Sequence, residues 1–232
     1  MVPSQYFKTS SHRFYGAVVA FVMLLSYEVL IIWENTSGSV IRNAPEAWLR
    51  NALNFAGVSH YYVSFLMVTV SIILIPLFYR SEITVNKRIF LYIIGESIFL
   101  GVISGFVIQF VITNLFFLTG SVTGSIVRDI GLAVGAGLFE ELFFRVILTT
   151  LIIKSASLII PKKWLAIFTA VLISSFLFSL AHYVGNLSDS FEIYSFLFRF
   201  FAGLWFTTLY SIRGFAVVCL THAFYDIFVL LF

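Results

Sequence analysis

The sequence predicts an all-α polytopic integral membrane protein, a bundle of about seven transmembrane helices, and three observations predict it. Of its 232 residues 60% are hydrophobic and 11% charged, where soluble domains carry about 25% charged residues, and the mean hydropathy is +1.02. Apolar runs recur at about 14–33, 61–79, 89–118, 128–153, 164–183, 194–211 and 215–232, close to the roughly 20 residues a helix needs to cross a bilayer. None of these runs alternates polar and apolar residues as the strands of a membrane barrel do.

The polar, basic start "MVPSQYFKTSSHRF" leads into a first run that extends to Trp33. That run is too long for a signal-peptide core and no small-residue cleavage site follows it, so it is read as a retained span. Next, "NAPEAWLRNALNFAG" reads as a short helix with Pro45 near its start and Gly57 after its end. Trp48, Leu49, Ala52, Leu53 and Ala56 share one face of it, and the helix is expected to lie along the membrane surface. The third run is the longest: it either tilts or breaks near Gly101 or Gly105, and a break would raise the count to eight spans. No repeat, low-complexity segment or long linker divides the chain, so residues 1–232 are expected to form a single membrane domain.

Basic residues set the orientation. Lys8 and Arg13 precede the first span, Arg80, Lys87 and Arg88 lie between the second and third, Lys154, Lys162 and Lys163 between the fourth and fifth, and Arg213 between the last two. Alternating spans put all of them on one side. The positive-inside rule then places the N-terminus in the cytoplasm, the C-terminus outside and the chain in the cell membrane. The net charge of +3 thus concerns orientation, and no nucleic-acid partner is expected. A single cysteine, Cys219, excludes an internal disulfide.

Charge within the spans is the exception that needs a cause. "FEELFFR", residues 139–145, sets Glu140, Glu141 and Arg145 in one of the most apolar stretches. Each ionisable group at a bilayer centre costs roughly 2.5–3.5 kcal/mol on the insertion scale. On an α-helix Glu141 and Arg145 are i,i+4 neighbours with the acid first, the favourable order for an ion pair. Glu140 points about 100° away and is left to face something else. Two further spans carry "FSLAHY", with His182 one turn after Phe178, and "THAFYD", with His222 and Asp226 at i,i+4. Buried hydrogen bonding between helices is one use for such groups. A carboxylate, two imidazoles and an Asp on three helices also offer general-base, proton-relay and metal-binding chemistry. By residue count His182 lies near the end of its span and His222 near the start of its own, so convergence requires helices offset in depth. Glu28 and Glu96, in other spans, are expected to pair with polar groups, and Arg199 to snorkel to the outer surface.

E-E-x-x-x-R at 140–145, F-x-x-x-H at 178–182 and H-x-x-x-[DN] at 222–226, in that order, resemble the CAAX protease and bacteriocin-processing family of intramembrane endopeptidases. This family, also called Abi or CPBP, includes the Ras-converting type of CaaX prenyl protease. The resemblance covers roughly residues 125–232, the expected catalytic core. It implies hydrolysis of a peptide bond in a membrane-associated, in some cases lipidated, protein or peptide. It implies that Glu140 activates water, His182 helps to hold it, His222 and Asp226 act on the oxyanion or scissile carbonyl, and Glu141 and Arg145 support the site. Prenyl proteases most often carry Asn where this chain has Asp226, and an ionised acid cannot donate to an oxyanion. No cofactor is favoured. Zinc on His182, His222 and Asp226 is the alternative, although no H-E-x-x-H is present.

Two other functions fit parts of the sequence. A proton-coupled transporter would use the same acids and histidines, but such folds favour Pro- or Gly-broken helices in both halves. Here the acids and histidines of the motifs cluster in the second half, and only Pro76 lies near a span. A non-catalytic immunity or scaffold protein of the same fold would have no need of the three motifs.

Overall fold

The computed structural model describes residues 3–35, 42–79, 85–116, 126–184 and 189–231. These residues are helical apart from short connections, and no strand occurs among them. In chain order the elements are α1 (Pro3–Ser10), α2 (Arg13–Asn35), α3 (Ala44–Phe55), α4 (His60–Phe78), α5 (Lys87–Phe116) and α6 (Ile126–Gly135). A π-helical segment (Ala136–Thr149) follows, then α7 (Thr150–Ile159), α8 (Lys163–Ala181), α9 (Ile193–Arg213) and α10 (Phe215–Leu231). The stretch from α6 through the π segment to α7 is one continuous span, Ile126–Ile159. Among the described residues six helices are long and apolar enough to cross a membrane, and α10 is a shorter apolar helix. Arg80 and the ends of two predicted runs, residues 117–118 and 232, lie outside the described residues.

Glycine lets the helices approach. α10 lies at the centre, against α2, α5, α6, α9 and the π segment. A Cβ on Gly101 would stand 2.9 Å from Phe224 Cβ, and one on Gly105 would stand 2.8 Å from Phe228 Cδ1. These two glycines therefore mark a close helix crossing rather than a break, and α5 runs unbroken through both. Seven spans result. Ser97 Oγ donates to the Val217 carbonyl at 3.2 Å across the same contact. On the other side of α10, a Cβ on Gly137 would meet the Cys219 carbonyl oxygen at 2.5 Å and the Ala223 amide nitrogen at 2.9 Å. Backbone cannot swing aside as a side chain can. We therefore expect Gly137→Ala to lower stability in detergent by about 1–3 kcal/mol, the usual cost of overpacking. Gly95→Ala, where a Cβ meets nothing within 4 Å, should be neutral or stabilising, because Ala is the better helix former. Thermal unfolding of the two variants checks the contrast.

At one end of the bundle Arg213 closes α9 and grips α5: Nε and Nη2 bond the two Glu96 oxygens at 2.5 and 2.7 Å. Tyr6 of α1 donates to Glu96 at 2.6 Å. Burial and this carboxylate push the Tyr6 hydroxyl pKa well above its ordinary value. The chain then turns through Gly214, whose φ of +77° favours a residue without a Cβ.

At the other end α3 packs on the bundle through its polar face. Its buried residues are Pro45, Glu46 and Arg50, while Leu49 and Phe55 face outward. The charged face is inward because it has partners: Arg50 bonds Glu46 at 2.5 Å, Glu28 at 3.0 Å and Ser64 at 2.6 Å. Tyr27 of α2 donates to Glu46 at 2.5 Å. Glu28 and Glu96 both pair with polar groups, as the sequence suggests.

Candidate active site

Glu140 and Glu141 are adjacent but serve different surroundings. They lie in the π segment, where i→i+5 bonding widens each turn and narrows the angle between successive residues below the α-helical value. Thr149 Oγ1 and Ser174 Oγ both donate to the Phe144 carbonyl, at 2.7 and 3.1 Å, and tie this altered backbone to α8. Glu141 is fully buried. Its Oε1 lies 3.1 Å from Arg145 Nη1 and 2.6 Å from His222 Nδ1. The Arg145 guanidinium also sits over the Phe178 ring at 4.5 Å, a contact worth more when desolvated. Glu141 is thus the hinge of a three-group network, not only the partner of Arg145.

Glu140 faces a cavity of about 920 Å³, which His182, His222 and Asp226 also line. The structure therefore brings four of the six candidate residues to one space and places Glu141 and Arg145 behind it. α8 ends at Ala181, so His182 caps it, and its Nδ1 lies 2.9 Å from the Phe178 carbonyl. A carbonyl only accepts, so Nδ1 carries the proton and Nε2 is the nitrogen left for a bound species. The His222 ring stacks on Phe206 at 4.4 Å, and its Nε2 lies 3.7 Å from Asp226 Oδ2, beyond hydrogen-bond length. With 17 residues at about 1.5 Å each, α10 spans only about 26 Å, short of the ~30 Å apolar thickness of a bilayer. Both imidazoles reach one cavity despite their different positions along their helices.

Asn43, which sequence reasoning passed over, also lines this cavity. It stands at the N-cap of α3, where Asn normally caps, yet its side chain makes no capping bond. Instead Nδ2 donates to Glu140 Oε1 at 3.0 Å. Its backbone N–H reaches Tyr27 Oη at 3.3 Å, and its Oδ1 is buried with no hydrogen-bond partner among the described residues. The only sequence signal was Asn before Ala-Pro-Glu, which marks a helix start and not a contact 97 residues away. Arg199 bonds Asp189 at 2.5 Å, Tyr183 at 2.9 Å and Ser195 at 2.9 Å, and it lines the cavity. Arg42 shares the rim. Burial opposes its charge, but Glu46 and Glu28 outweigh burial and raise its pKa.

Zinc fits poorly. Among the described residues no three His, Cys, Asp or Glu side chains converge as metal ligands do, and His182, His222 and Asp226 do not form a ready zinc site.

The fold and the cavity define an integral membrane protein with carboxylates and imidazoles from separate helices lining one cavity in the bundle. Residues 123–228 match the family model of the type II CAAX prenyl endopeptidases, Rce1-like. The match spans all three motifs. No curated protein and no solved structure matches the chain. At the level of the family, this match supports a CAAX-protease-type intramembrane endopeptidase.

Proposed function

We propose that the protein hydrolyses a peptide bond of a membrane-associated protein or peptide with water activated by Glu140. The observation that carries this is the convergence of Glu140, His182, His222 and Asp226, from three separate spans, on one cavity. A water held between Glu140 and His182 Nε2 gives a proton to the Glu140 carboxylate while its oxygen attacks the carbonyl carbon. His222, held through Nδ1 by Glu141, presents Nε2 to the oxyanion, and in the protonated ring both nitrogens donate. Glu140 then returns the proton to the amine nitrogen as the C–N bond breaks, serving as base and then acid. Comparing N-terminal peptides of membrane proteins between cells making the wild type and Glu140→Gln tests this. Neo-termini that require Glu140 support it, and identical sets of termini would sink it.

Asn43 positions the base in this scheme: Nδ2 fixes one Glu140 oxygen and Oδ1 can accept from the water. Asp is nearly isosteric with Asn but has only acceptors. Asn43→Asp should therefore cleave more slowly than Asn43→Ala, with kcat falling and KM little changed. If Asp keeps more activity than Ala, Asn43 merely fills space.

Asp226 separates the metal-free from the metal-bound mechanism. If it only accepts a hydrogen bond, Asp226→Asn keeps the shape and substantial activity, with or without chelator. If it binds zinc, the same change should cost activity by at least the roughly 10–100-fold typical of weaker metal-site perturbations, and added zinc should restore it. We expect the first result.

A further inference from the structure

The charges of the bundle are sorted by end, and the residues that line the cavity gather toward one of the ends. α1 and the start of α2 bring Lys8 and Arg13 to the first end, and the start of α5 adds Lys87 and Arg88. α7, the turn into α8 and the end of α9 add Lys154, Lys162, Lys163 and Arg213. The far end has four arginines, each paired with acids: Arg42 and Arg50 with Glu46, Arg128 with Asp129, and Arg199 with Asp189.

The cavity belongs to the far end. Helices α2, α8 and α10 run away from the basic end, while the span beginning with α6 and helix α9 run back toward it. On that alternation, Trp48 before α4, Asp129 in the first turn of α6, His182 at the end of α8 and Leu230 at the end of α10 all lie far from the lysines, and all line the cavity. Asp189 and Arg199, in the connection into α9 and its early turns, line the same space. From this rim the walls descend past Glu140 to Phe206 and His222. Water and substrate therefore meet Glu140 from the far end.

Lys and Arg near span ends are retained on the cytoplasmic side, and it is their number rather than net charge that orients a chain. We propose that the basic end is cytoplasmic and that the cavity opens on the extracytoplasmic face. Resting on the peptidase reading above, the substrate is then a peptide segment of an exported, membrane-anchored chain, presented at the outer interface. A cytosolic prenylated C-terminus would approach the opposite end. The rim suits an extended peptide: it carries both signs of charge (Arg42, Asp129, Asp189, Arg199) above an apolar interior. A volume of about 920 Å³ is at the large end of the range for binding pockets, about 300–1,000 Å³.

Single-cysteine labelling of the full chain tests the orientation without a substrate. The native Cys219 is fully buried and is replaced by Ala. Ser59→Cys then places a thiol at the exposed turn before α4, and Lys162→Cys places one at the exposed turn before α8. A charged, membrane-impermeant maleimide should label Ser59→Cys equally in intact and permeabilised cells, and Lys162→Cys only after permeabilisation. The reverse pattern, or labelling of both in intact cells, overturns the proposal. The neo-termini that depend on Glu140 give a second readout, and they should map to extracytoplasmic segments. Cytosolic cleavage sites overturn the proposal but leave the peptidase standing. Absence of any Glu140-dependent site removes the peptidase but leaves the labelling result intact.

Discussion

Glu140→Gln should yield a folded protein, as stable in detergent as the wild type, that no longer cleaves. Gln keeps the shape of Glu and an oxygen able to accept from Asn43, which bonds the carboxylate at 3.0 Å in the native protein. It loses only the ability to take a proton from water. General-base catalysis contributes about 100- to 10,000-fold, so activity should fall at least that far. Thermal unfolding beside a cleavage assay checks both parts. A variant that cleaves at the native rate would show that the base lies elsewhere.

Glu141→Gln should behave in the opposite way, losing stability first. Its carboxylate answers two groups at once, Arg145 at 3.1 Å and His222 at 2.6 Å, and Arg145 is fully buried. Removing one member of a buried ion pair leaves an uncompensated charge and costs about 3–5 kcal/mol. The double variant Glu141→Gln/Arg145→Met removes the stranded charge as well and should recover much of that stability. It should not recover activity, because the neutral amide can still accept from His222 but no longer supplies the charge that pairs with the protonated ring. Recovery of both would reduce Glu141 to a structural counter-ion. Equal stability of Glu140→Gln and Glu141→Gln would overturn the division of roles between the two acids.

The spans were legible because apolar runs near 20 residues leave few alternatives to a membrane helix, and the i,i+4 order of Glu141 and Arg145 makes an ion pair on any regular helix. Local pattern ended there. The π segment is set by its neighbours, with Thr149 and Ser174 both bonding the Phe144 carbonyl, and nothing in "AGLFEELFFRVILT" advertises it. Gly101 and Gly105 signalled irregularity, yet whether glycine breaks a helix or admits a neighbour depends on the partner that approaches. α3 was read from its apolar face, but its orientation is decided by Glu28, Ser64 and Tyr27, which lie on other helices. Asn43 was hidden for the same reason: its sequence position suggests a cap, and its contact is made across the fold.

Asn43 also bears on how separable the parts of this protein are. The family match begins at residue 123, so a boundary drawn there would suggest a portable module with an interchangeable front half. The geometry argues otherwise. The donor to Glu140 comes from the front half, on a turn clamped by Tyr27 and by the Glu46 cluster. A chimera that grafts residues 123–228 onto unrelated spans would keep every motif residue and still present Glu140 without its donor. Front halves can therefore be exchanged only if each returns a hydrogen-bond donor to the same place, whatever the surrounding sequence becomes.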